Sequence, residues 1–246
     1  MGNDDRLKKM RERMGKAQER NRGGGGFWNI PKSGSKNFIR ILPAVGRMDP
    51  GIFWQTEGQH WQNRKPVAVC PKITTEETAH LEECPICAFA TEQWNGGDKE
   101  LAKSWFASRR YRINIIVRSD NEAGYEGPYI WTLGNKIFDD LFKLVESDQY
   151  GDISDVNSGF DLEVYARTEN DRPKYYVVAS RYESPLLGKK DHPNQAAIEE
   201  LLAQATDLTD LLDQLPSYDD LNELIQADLS DEGESMFDED LEEIDF

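Results

Sequence analysis

All three cysteines of the chain lie in one short stretch with the spacing of a metal site. Cys84 and Cys87 form a Cys-Pro-Ile-Cys knuckle, and Cys70 precedes it at a distance suited to an intervening loop. Such a knuckle places two thiolates on one side of an ion, and Zn²⁺ is the usual tetrahedral occupant of mixed cysteine and histidine sites. We therefore predict one structural Zn²⁺ bound by these three thiolates and one imidazole.

Two histidines could supply the fourth ligand. His60 lies before Cys70 and leaves a long loop to fold around the ion, whereas His80 lies four residues before Cys84 and could reach it from a helical turn. The spacing favours His60 but leaves His80 open, because structural zinc sites accept varied loop lengths. Four protein ligands leave no position for a metal-bound water, so we predict a structural centre and no enzyme.

Charge is arranged in blocks along the chain. The net formal charge is −17, yet residues 1–48 carry a surplus of eight positive charges. Residues 49–190 carry −6, and residues 191–246 carry −19 because neither Lys nor Arg follows Lys190. A basic segment and an acidic segment at opposite ends are typical of regions that interact with partners or with each other.

The two ends predict appendages around one core. Residues 1–26 form a basic arm in which residues 4–22 have helical periodicity and Gly23 to Gly26 end the helix. Residues 228–246 form an acidic tail that is too charged to fold alone. The tail nevertheless places apolar side chains on one face if it becomes helical against a partner. These residues, with the terminal aromatic, are Phe237, Leu241, Ile244 and Phe246.

Residues 27–227 have the pattern of a mixed α+β core. Five segments alternate or are rich in β-branched and aromatic residues, and one segment between them has helical spacing. We expect an OB-fold-like five-stranded barrel with an inserted zinc subdomain at about residues 54–94, and acidic helices over residues 191–227. The predicted strands are Asn37–Leu42, Tyr111–Arg118, Pro128–Leu133, Phe160–Arg167 and Lys174–Arg181, and the predicted helix is Gly134–Ser147.

Positive and aromatic residues are interleaved before and along one predicted strand, over residues 103–118, which contain no acidic residue. Positive charge follows phosphates, and aromatic faces stack on bases that duplex DNA would hide, so this stretch indicates single-stranded nucleic acid. Trp131 and Tyr182 are further candidate stacking residues, although about half of the aromatics on a strand face the core. The candidate contact residues are Lys103, Trp105, Arg109, Arg110, Tyr111, Arg112, Trp131 and Tyr182.

Taken together, these residues resemble the zinc-containing single-stranded-DNA-binding proteins of tailed phages, the gene 32 protein family. The resemblance covers most of the chain. It rests on the His60 and cysteine pattern and on the segments Phe38–Pro43, Arg109–Val117, Pro128–Phe138 and Asn194–Ile198. It implies that His60 is the fourth zinc ligand, that Tyr111 stacks on DNA bases, and that Trp131 faces DNA.

The resemblance also implies a biological setting: a protein that coats single-stranded DNA during phage replication, recombination and repair in the cytoplasm of the infected cell. The arm would mediate head-to-tail self-association along DNA, and the tail would recruit replication and recombination proteins. The arm residues are Arg6, Lys8, Lys9, Arg11 and Arg13, spread along a helix where the family has a compact basic cluster. The chain also departs from the family in a shorter loop between His60 and Cys70, and in Arg112 where an aromatic residue would follow Tyr111.

Two other classes fit parts of the pattern. An RNA-binding translational regulator could use the same arm, aromatics and zinc. A zinc enzyme is the second alternative, but no nucleotide-binding glycine motif, His-Glu-x-x-His or nucleophile signature occurs in the chain. The chain has neither a long apolar run nor an apolar signal-peptide core near Met1, so we expect no membrane partner.

Overall fold

A computed structural model describes residues 26–30, 36–62, 65–74, 84–169, 172–189 and 192–226. The predicted helix over residues 4–22, the basic residues of the arm, His80 and the acidic tail lie outside the described residues.

The described chain contains strands, α-helices and two short 3₁₀ helices, at Pro71–Ile73 and Leu208–Gln214. The strands are β1 (Phe27–Trp28), β2 (Lys36–Ile41), β3 (Trp54–Gln62), β4 (Lys65–Cys70), β5 (Ser108–Arg118), β6 (Tyr125–Gly134), β7 (Asp161–Glu169), β8 (Arg172–Ala179), β9 (Gly188–Lys189) and β10 (His192–Pro193). The helices are α1 (Pro85–Gly96), α2 (Lys99–Trp105), α3 (Asn135–Val145), α4 (Gln195–Gln204) and α5 (residues 218–226). None of the described helices is long and apolar enough to cross a membrane.

The predicted α+β class is confirmed. One eight-stranded sheet runs in the order β1-β6-β5-β2-β7-β8, and the antiparallel β3–β4 hairpin lies off this path. All five predicted strands and the predicted helix are present, as β2, β5, β6, β7, β8 and α3. Within the described residues, the two edge strands of this order do not pair with each other, so closure into a barrel stays a prediction.

The chain divides into two compact units, each assembled from separate segments. Unit 1 comprises Met1–Gln55 and Tyr111–Asp210, and unit 2 comprises Thr56–Arg110 and Leu211–Phe246. Because the divisions fall inside β3 and β5, each of these strands contributes residues to both units.

The core of unit 1 is set by residues that alternate along its strands. On β7, Leu162, Val164 and Ala166 are buried, while the residues between them are less so. On β2, Ile39 and Ile41 belong to the same core cluster as Leu162 and Val164, although Arg40 between them is buried as well. Residues two apart share one face of a strand, so the sheet has an apolar inner face and a second face of different composition.

Arg40 is a charged side chain inside unit 1 and is 0% exposed. Its Nη2 donates to the carbonyl oxygens of Asp155 at 2.6 Å and Ser184 at 2.9 Å, and its Nη1 lies 3.9 Å from Asp161. Burial lowers the pKa of Arg40 to about 10, against the opposing effect of Asp161, so the guanidinium stays charged at neutral pH. Arg40 thus fixes two loop segments to β2 by charge-assisted hydrogen bonds.

We expect Arg40→Met to destabilise the protein, because the carbonyls of Asp155 and Ser184 would lose a buried donor. The expected cost is about 1–3 kcal/mol for the Ser184 carbonyl, whereas the Asp155 carbonyl would still accept from the amide of Gly159 at 3.0 Å. The control is Lys36→Met on the same strand, whose side chain is largely exposed and should change the free energy of unfolding by less than about 0.5 kcal/mol. Urea unfolding followed by circular dichroism measures both. Equal stability of the two variants would contradict this role for Arg40.

Candidate metal centre and basic-aromatic strand

Four predicted ligands meet in unit 2. The possible ligand atoms of His60, Cys70, Cys84 and Cys87 all lie within 4.8 Å of one another. His60 Nε2 is 3.2 Å from Cys84 Sγ and 3.8 Å from Cys87 Sγ, and the sulfurs of Cys70 and Cys87 are 3.6 Å apart. A zinc tetrahedron with bonds of about 2.0–2.3 Å has edges of about 3.5–3.8 Å. The cluster therefore has the donor set and the size to hold one metal ion.

Each ligand is positioned by a different local structure. His60 lies on β3, and Cys70 ends β4, its hairpin partner. Cys84 is the N-cap of α1, and Pro85 occupies the first helical position, where its fixed φ suits a helix start. Cys87 follows in the first turn, near backbone N–H groups that favour a thiolate. The Cys-Pro-Ile-Cys knuckle is thus the start of a helix.

The other nitrogen of the imidazole is also bonded. His60 Nδ1 lies 2.8 Å from the carbonyl oxygen of Trp105, to which an Nδ1–H would donate. This hydrogen bond selects the tautomer whose Nε2 faces the sulfur atoms, the arrangement that usually supports a metal-bound histidine. His60 is fully buried. The geometry therefore brings His60, the histidine that spacing and family resemblance favoured, into the cluster.

The pKa values of His60, Cys70 and Cys84 depend on their neighbours in the cluster. Burial alone lowers the pKa of His60, but hydrogen bonds to Cys84 and Cys87 outweigh it and raise the pKa to about 9. Hydrogen bonds to its two neighbouring thiols raise the pKa of Cys70, and hydrogen bonds from the other thiols lower the pKa of Cys84. Close, buried sulfur atoms cannot all ionise without a compensating positive charge. A divalent cation bound by the cluster would supply that charge.

Gly58 leaves room for Cys70. The two residues face each other across the β3–β4 hairpin. A methyl group at residue 58 would lie 2.8 Å from Cys70 Cβ and 2.6 Å from Ile73 Cβ, closer than side-chain carbons pack. A glycine is therefore required at this position for Cys70 to reach the cluster.

The hydrophobic core of unit 2 is small and contains two of the four ligands. Cys70 and Cys84 are buried together with residues of α1, α2 and α5. The other buried members are Ala68, Ile86, Ala90, Trp105, Leu221 and Ile225. Small domains that cannot bury enough apolar surface commonly depend on a metal.

Tyr111 is the outer ring of an aromatic stack in unit 1. Its ring lies 3.5 Å from that of Phe138, with planes only 6° apart. Phe138 is buried and contacts Trp54 and Phe142, which hold it in place. Tyr111 itself is half-buried. One face of Tyr111 is therefore fixed against the protein, while part of its side chain remains accessible.

Two predicted contact residues lie in the core. Trp105 is 3% exposed and packs against Phe89, and Trp131 is 2% exposed and packs against Trp28. In this structure neither indole offers a face to a base, because each stacks edge-on within its own hydrophobic cluster. An aromatic side chain on a strand can point toward the core or toward solvent, and Trp131 points toward the core.

The remaining predicted contact residues reach the surface to different degrees. Tyr182 is 79% exposed, Arg109 is exposed, and exposed Lys103 pairs with Glu100 at 2.7 Å. The guanidinium of Arg110 lies over the ring of Trp61 in unit 2, at 5.1 Å.

Arg112 lies 5.6 Å from the ring of Phe27 in unit 1. Phe27 is partly exposed, and the sequence interpretation did not include it. Its short strand β1 pairs with β6, a contact distant in sequence that no local pattern indicates. An aromatic ring is therefore present beside Arg112, although residue 112 itself is not aromatic.

These features define a class of α+β proteins that combine a candidate Cys₃His metal centre with a cationic, aromatic strand. The family model described as gp32 DNA binding protein like matches residues 33–227, so the chain belongs to this family. The resemblance inferred from the sequence is confirmed. No curated protein matches the chain.

We expect Gly58→Ala to weaken metal retention, because the new methyl group displaces Cys70. Changes that disturb the support of a metal ligand commonly cost about 10- to 100-fold in metal affinity. Gly96→Ala is the matched control, since nothing lies within 4 Å of a methyl group at that position of α1. Competition with a chelator, followed by metal analysis of the protein, measures the difference. Equal retention by both variants would show that Cys70 does not depend on this contact.

Proposed function

We propose that this protein binds single-stranded DNA without chemical catalysis, using Tyr111 as a stacking residue. The observation that carries the proposal is the Tyr111–Phe138 stack in a chain of the gp32-like DNA-binding family. The protein would consist of a basic arm (residues 1–26), a DNA-binding core (residues 27–227) and an acidic tail (residues 228–246).

A ring that is already stacked on its own protein is suited to receive a base. Phe138 holds Tyr111 in one orientation, so little conformational entropy remains to be lost on binding. Stacking of one base on an aromatic side chain contributes about 1–3 kcal/mol and tolerates any sequence. Duplex DNA buries the base faces that Tyr111 would contact. The stack therefore favours unpaired strands.

Cationic side chains in each unit would contact phosphates. Arg112 belongs to unit 1, and Lys103, Arg109 and Arg110 belong to unit 2 with the candidate metal centre. Unit 1 also contains Tyr182, a highly exposed ring that could stack on a base. Each phosphate contact should lower the logarithm of the binding constant by about 0.7 for every tenfold increase in salt.

We assign Zn²⁺ to the cluster of His60 and the three cysteines, as a structural ion. Three thiolates and one imidazole match its preference for sulfur and nitrogen donors and complete a tetrahedron. The free energy of binding would then appear as folding free energy of unit 2, whose core includes two of the ligands. This role requires no exchangeable ligand position.

The two charged ends complete the proposal. The arm would promote self-association along DNA, and the tail would bind replication and recombination proteins when DNA occupies the core. In the absence of DNA, the tethered acidic tail would compete for the same cations, at an effective concentration of about millimolar. The setting proposed from the family resemblance is phage DNA replication, recombination and repair in the cytoplasm of the infected cell.

We expect Tyr111→Leu to weaken binding to single-stranded DNA by about five- to 150-fold, the equivalent of one lost stacking contact. Tyr111→Phe should bind like the wild type, because it keeps the ring face. Quenching of intrinsic tryptophan fluorescence by a thymidine oligonucleotide, at low and high salt, provides the measurement. Wild-type affinity of the leucine variant, or equal quenching by duplex DNA, would refute Tyr111 as a stacking residue.

Removing residues 228–246 should tighten DNA binding at low salt, because it deletes a competitor for the basic surface. The effect should fade as salt rises, since screening weakens the intramolecular competition as well. The comparison is between the full chain and the truncated chain in the same titration. An unchanged affinity and salt dependence would exclude competition by the tail.

A further inference from the structure

Unit 1 has a second surface that combines aromatic rings and cations. On β7 the residues that alternate with the buried set are Glu163, Tyr165 and Arg167. The strand register places Lys36 and Tyr176 on either side of Tyr165, and places Lys174 opposite Arg167. Directly opposed residues of neighbouring strands project on the same face. We call this face of β2, β7 and β8 the outer sheet face.

Two tyrosines form the centre of the outer sheet face. The rings of Tyr165 and Tyr176 are 5.3 Å apart with planes 16° from parallel. The guanidinium of Arg167 lies 5.1 Å from the first ring and 5.7 Å from the second. Lys36 lies 5.9 Å from the ring of Tyr165, and Lys136 lies 5.9 Å from the ring of Tyr176. The pair is therefore bordered by three cations.

The outer sheet face also carries exposed apolar side chains. Phe38 and Val178 lie opposite Glu163 on the two neighbouring strands, and each is 49% exposed. Around the tyrosine pair, the described residues place four cations and two carboxylates, and further along β7 Asp161 pairs with Arg118. The four cations are Lys36, Lys136, Arg167 and Lys174, and the two carboxylates are Glu163 and Glu169.

The two carboxylates of the outer sheet face fix the positions of neighbouring side chains. Glu163 pairs with Lys36 at 2.6 Å, and Glu169 accepts hydrogen bonds from Lys174 and from the hydroxyl of Tyr176. The latter bond fixes one tyrosine at its polar end and leaves the ring to pack against its neighbour. Arg167 and Lys136 contact the ring faces and carry the excess positive charge.

We propose that the outer sheet face is a second contact surface for the same single strand of DNA. The inference rests on the proposed function and extends it: Tyr165 and Tyr176 would stack on bases, and Arg167, Lys136 and Lys36 would contact phosphates. Flat aromatic rings among cations match the chemistry of an unpaired, negatively charged strand. The charge excess fits an anionic occupant.

Helix α3 connects the outer sheet face to the Tyr111 stack. Lys136, in the first turn of α3, approaches Tyr176, whereas Phe138, two residues later, supports Tyr111. The helix lies against both β6 and β8. Both aromatic sites thus belong to unit 1 and share one helix as a support, so a single strand long enough to pass α3 can contact both.

Oligonucleotide length separates the two sites experimentally. We would measure the affinity of the full chain for 5′-labelled thymidine oligonucleotides of about four and about sixteen nucleotides, the range of site sizes for OB-fold proteins. The double variant Tyr165→Leu/Tyr176→Leu should bind the long strand more weakly than the wild type. Each stacked base that is lost should lower the affinity by about five- to 150-fold. Its affinity for the short strand, which Tyr111 can hold alone, should be unchanged.

Two further variants keep the result interpretable. Arg167 is exposed, so Arg167→Gln should not disturb folding. This variant should reduce the slope of log binding constant against log salt for the long strand by about 0.7, and it tests the outer sheet face even if the double variant folds poorly. Tyr218→Leu removes an exposed tyrosine of unit 2 and should bind both lengths normally.

The possible results separate this inference from the function on which it rests. Wild-type affinity of the double variant together with a wild-type salt slope of Arg167→Gln would overturn the second surface. Equal losses on both lengths by a normally folded double variant would also overturn it. If the wild-type chain bound neither length, the proposed function itself would fail.

Discussion

The hydrogen bond between His60 and the carbonyl of Trp105 is the link on which unit 2 depends. It joins β3 to the end of α2, and through the imidazole it reaches Cys84 and Cys87 at the start of α1. Cys70, at the end of β4, contacts Cys87, so four elements meet at one buried cluster. Among the described residues the surrounding core is small, so a cation held by the cluster would add to the stability of unit 2.

Unit 1 is stabilised in a different way. Its larger apolar cluster spans most strands of the main sheet, and its buried guanidinium, Arg40, donates hydrogen bonds to two backbone carbonyls. A rigid sheet of this kind can present side chains on its outer face without relying on them for stability. Tyr165 and Tyr176 are in this situation, because the strand register already fixes each ring beside the other. Tyr111, on β5, instead rests on Phe138 of the core cluster. Rings held in advance lose little freedom when they bind a ligand.

The parts of the fold that were predictable are those with a local pattern. Alternation and β-branched or aromatic content located β2, β5, β6, β7 and β8, although β7 buries every second residue whereas β2 and β5 bury consecutive residues. The cysteine knuckle identified the candidate metal cluster. Orientation of the aromatics was less predictable. Trp131 faces inward because Trp28, about a hundred residues earlier, packs edge-on against it. Tyr165 and Tyr176 become a pair only through the register of β7 and β8, and Phe27 reaches Arg112 only through the pairing of β1 with β6. These relationships are long-range, so no window of sequence contains them.

Because unit 2 is formed from two separate segments of the chain, its parts become available for folding at different times during synthesis. All four candidate ligands lie between residues 60 and 87, whereas Leu221 and Ile225, which share their core, are synthesised more than a hundred residues later. Closing the short loops between the ligands costs little entropy, but completing the core must wait for α5. A metal ion captured during synthesis would hold β3, β4 and α1 together through this interval and keep three reactive thiols occupied. The same centre that stabilises the finished unit would therefore also protect the nascent one.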